Sequence, residues 1–187
     1  MDNRLKDKKI AIMATDGFEP SELFEPLEVL RAAGATVDIV SDREGEIRAW
    51  DKSNWGKCIP VDLKVDSAHS LNYHALVLPG GVMNPDQLRT HTVAVNFVKA
   101  FFEKSKIVAA ICHAPWLLIN AGHIEGRRVT SSKSIRLDVI NAGGLWIDEA
   151  VVVDNGLITS RKPADLPAFC KALVDLLLEE REGKYHT

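Results

Sequence analysis

Hydrophobic residues in this chain gather in short unbroken runs that alternate with longer stretches of helical period. Lys9-Ile10-Ala11-Ile12-Met13-Ala14-Thr15 is an apolar run that stops at Asp16-Gly17, as a buried strand followed by a turn would. Leu23, Leu27 and Leu30, with Phe24 and Val29, then recur at helical spacing. Ser21 is placed to cap that helix, Glu22 falls in its first turn where the dipole favours a carboxylate, Pro26 comes early enough to be tolerated, and Gly34 ends it. Thr36 to Ser41 is a second strand, and strand, helix and strand with a short return make a βαβ unit, which requires a parallel sheet.

The alternation continues. Residues 43–66 are polar and broken by Gly45, Gly56 and Pro60, an irregular excursion with a hairpin expected around Ile47 to Trp50 and Cys58 to Leu63. Ala75-Leu76-Val77-Leu78-Pro79 is a strand ending in Gly80-Gly81, and Thr92 to Lys104 is an amphipathic helix. Ile107 to Ile111 is a strand, and His113 to Ala121 a helix closed by Gly122. After Val129-Thr130-Ser131, a helix is expected near Ile135 to Ala142 and a last one from Ala164 to Glu182. Between those two helices, Asn155-Gly156 should turn a strand pair, Ala150 to Asp154 and Leu157 to Ser160. Nearly continuous apolar strands alternating with helices predict an α/β fold, a mostly parallel sheet with helices on both faces. Ligands in such folds sit at the carboxyl ends of the strands, where three loops should converge: Asp16 to Glu22, Gly80 to Asp86, and Cys112 to Pro115.

Composition narrows the class. At 187 residues, one domain over 1–187 is expected, and 46% hydrophobic with 26% charged residues is a globular balance. A net charge of −3 with dispersed Lys and Arg provides no basic face for nucleic acid. Met1 to Lys9 lacks the apolar core of a signal peptide, and no stretch nears the roughly 18 apolar residues of a membrane span. A cytoplasmic protein without membrane contact is therefore expected. Cys58, Cys112 and Cys170 are odd in number and far apart, so neither a disulfide framework nor a zinc site is indicated. His69, His74, His91, His123 and His186 show no metal spacing, and no metal or cofactor is expected.

Candidate chemistry centres on Cys112. It lies between a strand and a helix, where the helix dipole would favour thiolate, although Cys is also often an inert buried residue. His113 is adjacent, and neighbours in a regular helix do not face each other, so it can act as base only from a strained elbow. Gly80-Gly81 offers backbone amides for an oxyanion hole, or simply a tight turn. Glu19, Glu22 and Asp86 each serve a helix dipole when taken singly, yet they occupy the loops that should meet at Cys112.

Four ordered motifs carry a resemblance. Phe18-Glu19-Pro20-Ser21-Glu22-Leu23, Ala75 to Gly81, Ala110-Ile111-Cys112-His113-Ala114-Pro115, and Asp154-Asn155-Gly156 through Ser160 to Leu166 resemble the PfpI branch of the ThiJ/PfpI (DJ-one) superfamily over nearly the whole chain. The resemblance implies a flavodoxin-like three-layer sandwich, a homodimer or higher oligomer, and Cys112 as nucleophile. It also implies that His113 pairs with Cys112 and is oriented by an acid from a neighbouring subunit, which falls on Asp86. Glu22 matches the glutamate that hydrogen-bonds the thiol, with Glu19 beside it, and Gly81 with the amide of His113 or Val82 would bind an oxyanion. Two positions depart from the family pattern: Ala114 stands where Gly is usual, and Asp86 replaces a Glu one methylene longer. Three functions are compatible with this resemblance. The first is a stress-response enzyme acting on small reactive carbonyls through a hemithioacetal at Cys112, of glyoxalase or deglycase type. The second is a peptidase using Cys112, His113 and Asp86, and the third an oxidative-stress sensor or chaperone-like protein.

Overall fold

The computed structural model describes residues 3–181; His186 and Glu182 lie outside them. β1 (Lys9–Met13), α1 (Pro20–Ala32) and β2 (Thr36–Ser41) form the βαβ unit that the apolar periodicity predicts, and β1 pairs with β2 in parallel. The excursion is a hairpin, β3 (Glu46–Asp51) and β4 (Asn54–Pro60), followed by a two-residue edge strand, β5 (Leu63–Lys64). Then come β6 (Ala75–Leu78), α2 (Met83–Leu88), α3 (Thr92–Glu103), β7 (Ile107–Ile111), α4 (Pro115–Asn120), β8 (Arg128–Val129), α5 (Arg136–Asn141), β9 (Leu145–Trp146), β10 (Val151–Asp154), β11 (Leu157–Ser160) and α6 (Leu166–Arg181).

Seven strands form one sheet in the order β10-β11-β7-β6-β1-β2-β5, and every pairing is parallel except β10 with β11. That exception follows from Asn155 and Gly156, whose positive φ values of 45° and 78° suit a two-residue hairpin turn. Because successive strand residues point to opposite faces, two cores result. Ile10, Ile12, Val37, Ile39, Val77 and Ile111 pack under α1 and α6. Ala11, Met13, Leu76, Leu78, Val108 and Ala110 pack under α3 and α4. The result is the three-layer α/β sandwich.

Two helix starts differ from the periodicity reading, each for a local reason. α1 begins at Pro20, whose fixed φ suits the first helical position, so the cap moves back to Glu19. Glu19 Oε2 accepts from the Glu22 amide at 2.8 Å and from the Ser21 hydroxyl at 2.6 Å. α4 likewise starts at Pro115, and residues 112–114 form a tight turn.

Candidate active site

The strand ends β1, β6 and β7 deliver three loops to one cleft of about 600 Å³, lined by Gly17, Glu19, Trp50, Lys52, Gly81, Val82, Met83, Cys112 and His113. Cys112 sits at its base with φ 64°, a left-handed conformation costly for a residue with a β-carbon. Two backbone bonds hold it there: its amide donates to the Ser160 carbonyl at 3.0 Å, and its carbonyl accepts from the Ser132 amide at 2.8 Å. The sharp turn swings adjacent side chains together, placing His113 Nδ1 3.1 Å from Cys112 Sγ. A regular helix would have kept them apart.

Glu22 is fully buried behind the thiol. Its Oε2 accepts from the Gly80 amide at 2.8 Å, so that amide holds the carboxyl and not an oxyanion. Oε1 has no partner of ordinary hydrogen-bond geometry, and the Cys112 thiol and Gly81 amide are weak polar neighbours of the carboxyl. Burial, with the Glu19 charge adding to it, pushes the Glu22 carboxyl up to about 8. Burial, with the Glu22 charge once that carboxyl ionises, pushes the Cys112 thiol well above the ordinary cysteine range, although the amides of Gly81 and His113 both hydrogen-bond toward the sulfur. The direction is opposite to the dipole-acidified thiolate expected at the helix start. α4 begins three residues after Cys112 and is six residues long, too little to outweigh the desolvation. Burial also lowers His113, leaving a neutral imidazole at neutral pH. These shifts favour the protonated thiol of Cys112, a neutral His113 imidazole 3.1 Å away and a protonated Glu22 carboxyl behind it.

The predicted residues separate into groups. Cys112, His113, Glu22 and Gly81 come together around the thiol. Glu19 borders the cleft but spends Oε2 capping α1, and Val82 presents an exposed side chain on the cleft wall. Asp86 lies on α2, exposed and bonded to Arg89 at 2.6 and 3.0 Å, and within the chain it does not bond His113. Instead His113 Nε2 lies 2.8 Å from Ser134 Oγ, which is 3.0 Å from Ser132 Oγ.

The sequence reading also missed Asn84, which is fully buried. Its Oδ1 accepts from the Thr15 amide at 2.8 Å, and its Nδ2 donates to the Pro79 and Gly80 carbonyls at 2.8 and 3.0 Å. It therefore ties the loop after β1 to the loop after β6. Trp50 and Lys52 come from the β3–β4 hairpin, which docks where the Gly17 amide meets the Arg48 carbonyl at 2.8 Å and the Trp50 amide meets the Phe18 carbonyl at 2.9 Å. No periodicity could have placed that hairpin. The Asn-Pro pair opening α2 was the only available hint for Asn84.

Comparison with known proteins gives relatives along nearly all of the chain. Deglycase TK1284 of Thermococcus kodakarensis is 43% identical over 90% of this chain and 99% of its own. General stress protein 18 of Bacillus subtilis is 42% identical over 91% of this chain and 98% of its own. A two-domain protein from Anabaena variabilis containing DJ-1/ThiJ/PfpI-like and ferritin-like domains superposes with a TM-score of 0.86 at 36% identity, covering 91% of this chain and 48% of that one. The model of the DJ-1/PfpI family matches residues 8–176. Sequence, fold and the motifs around Cys112 agree, and the chain belongs to the DJ-1/PfpI family.

Proposed function

We propose that this protein is a stress-response enzyme that uses Cys112 to process small reactive carbonyls, in the manner that the names of its deglycase and stress-protein relatives suggest. The observation that carries the reading is the pairing of Cys112 Sγ with His113 Nδ1 at 3.1 Å, with the neutral acid Glu22 behind the thiol. His113 takes the thiol proton as sulfur adds to the aldehyde carbon, so no standing thiolate is needed. The oxygen of the resulting hemithioacetal is received by the amides of Gly81 and His113, the two that face the sulfur. With a 2-oxoaldehyde, a base removes the C1 proton and returns one to C2, converting the hemithioacetal to a thioester. Water then releases a 2-hydroxy acid and restores the thiol. Glu22 and His113, flanking the sulfur from two sides, are the groups that move these protons. A cleft of about 600 Å³ is in the range for a small ligand.

Purified protein given methylglyoxal should form lactate, and Cys112→Ala should abolish it. Equal rates for the two proteins would end the reading. A peptidase would need an acid to stabilise the His113 imidazolium during acyl transfer. Within the chain, Asp86 is bonded to Arg89.

A further inference from the structure

We propose that Ser134, in the same chain, is a positioning residue for His113, holding its ring through a neutral hydroxyl. The inference rests on reading Cys112 and His113 as the reactive pair. Nε2 of His113 lies 2.8 Å from Ser134 Oγ, and Nδ1 is 3.1 Å from Cys112 Sγ, so the ring is held at both nitrogens. With Nε2–H donated to Ser134, Nδ1 is the acceptor that faces the thiol, which is the tautomer a base requires. Ser134 is itself held in place. It sits in a single 3₁₀ turn, Lys133–Ile135, with Ile135 buried on one side. On the other side, the Ser132 amide is bonded to the carbonyl of Cys112, and the Ser132 hydroxyl lies 3.0 Å from that of Ser134. The turn that orients the histidine is thus tied by its backbone to the residue carrying the nucleophile.

Among the described residues of this chain, no carboxylate is bonded to His113. The His113 and Trp116 rings lie tilted with centroids 5.3 Å apart, and Trp116 is covered by the Arg89 guanidinium at 4.4 Å and donates to Asp138 at 2.7 Å. Lys133, next to Ser134, is paired with Asp148 at 3.0 Å. Across the sulfur stands Glu22, and Glu19 and Lys52 border the cleft. Burial is what lowers the His113 pKa, and a hydroxyl partner does not reverse it as a carboxylate would. This arrangement suits a base that borrows a proton and returns it to the same intermediate.

Iodoacetamide labelling of Cys112, followed on the Cys112 peptide by mass spectrometry across pH, reads the pair without any carbonyl substrate. Ser134→Ala should slow labelling about 3- to 10-fold, the range one neutral hydrogen bond supplies. Ser134→Thr, which keeps the hydroxyl, should restore the rate to within about twofold of wild type. Ser134→Asp should raise the His113 pKa by about one unit or more, read by NMR, and speed labelling on the acid side by stabilising imidazolium beside thiolate. A purely structural Ser134 would make the Ala and Asp variants both slower, without a shift of the His113 titration, and that would overturn the proposal. So would a Ser134→Ala profile identical to wild type while Asp86→Ala slows labelling, the result expected if a neighbouring subunit supplies the partner. Loss of lactate formation in Cys112→Ala tests the carbonyl chemistry separately, so either reading can fail while the other stands.

Discussion

At Gly80, a β-carbon would lie 2.6 Å from Glu22 Oε2 and 2.7 Å from Cys112 Cβ, closer than packed atoms tolerate. Neither neighbour can move without breaking the site, since Glu22 is fully buried and Cys112 is fixed through both its amide and its carbonyl. Gly80→Ala should therefore destabilise the fold by about 1–3 kcal/mol and remove the reactivity of Cys112, measured by urea denaturation and thiol labelling. Gly81 is required for another reason: its φ is 78°, and a β-carbon there would come within 2.6 Å of the Gly17 carbonyl. The Gly80-Gly81 pair was legible in the sequence, but the division of labour was not. The Gly80 amide bonds Glu22 at 2.8 Å, while the Gly81 amide also faces the sulfur, a difference set by which atoms lie opposite each.

Between elements, the site depends on loops from β1, β6 and β7 holding a common register, and Asn84 joins the first two. Asn84→Ala would strip a buried partner from the Thr15 amide and from the carbonyls of Pro79 and Gly80. It should cost about 1–3 kcal/mol for the unsatisfied groups, visible as a lower urea midpoint. Hydrogen exchange at the Thr15 amide should rise in the same variant. The strands and the long helices were readable because their apolar periods are local properties of the chain. Helix starts were less readable, since Pro20 and Pro115 outweighed the capping expectation at Ser21 and the dipole expectation at Cys112. The β3–β4 hairpin was legible only as a possibility, and its contribution of Trp50 and Lys52 to the cleft depends on contacts with Gly17 and Phe18.

For the whole molecule, the burial of Glu22 couples the candidate site to folding. Its carboxyl is raised from 4.5 to about 8 in the folded protein. Between those values the folded chain keeps a proton that the unfolded chain has released, so stability should fall as pH rises through that window. Glu22→Gln, which keeps an uncharged acceptor for the Gly80 amide, should flatten that fall. Urea denaturation of both proteins from pH 5 to 8 measures the difference, and parallel curves would refute it. The lowered pKa of His113 acts oppositely below its ordinary value of 6.5 and is common to both proteins, so the comparison cancels it. The sequence by itself determined the α/β plan, the hairpin at Asn155-Gly156 and the position of Cys112 at a strand end, because hydrophobic period and turn chemistry act over a few residues. Only the tertiary structure decided the protonation of the thiol and the partner of its histidine. Those depend on desolvation and on contacts between residues far apart in the chain: Glu22 meets Gly80 across 58 positions, and His113 meets Ser134 across 21.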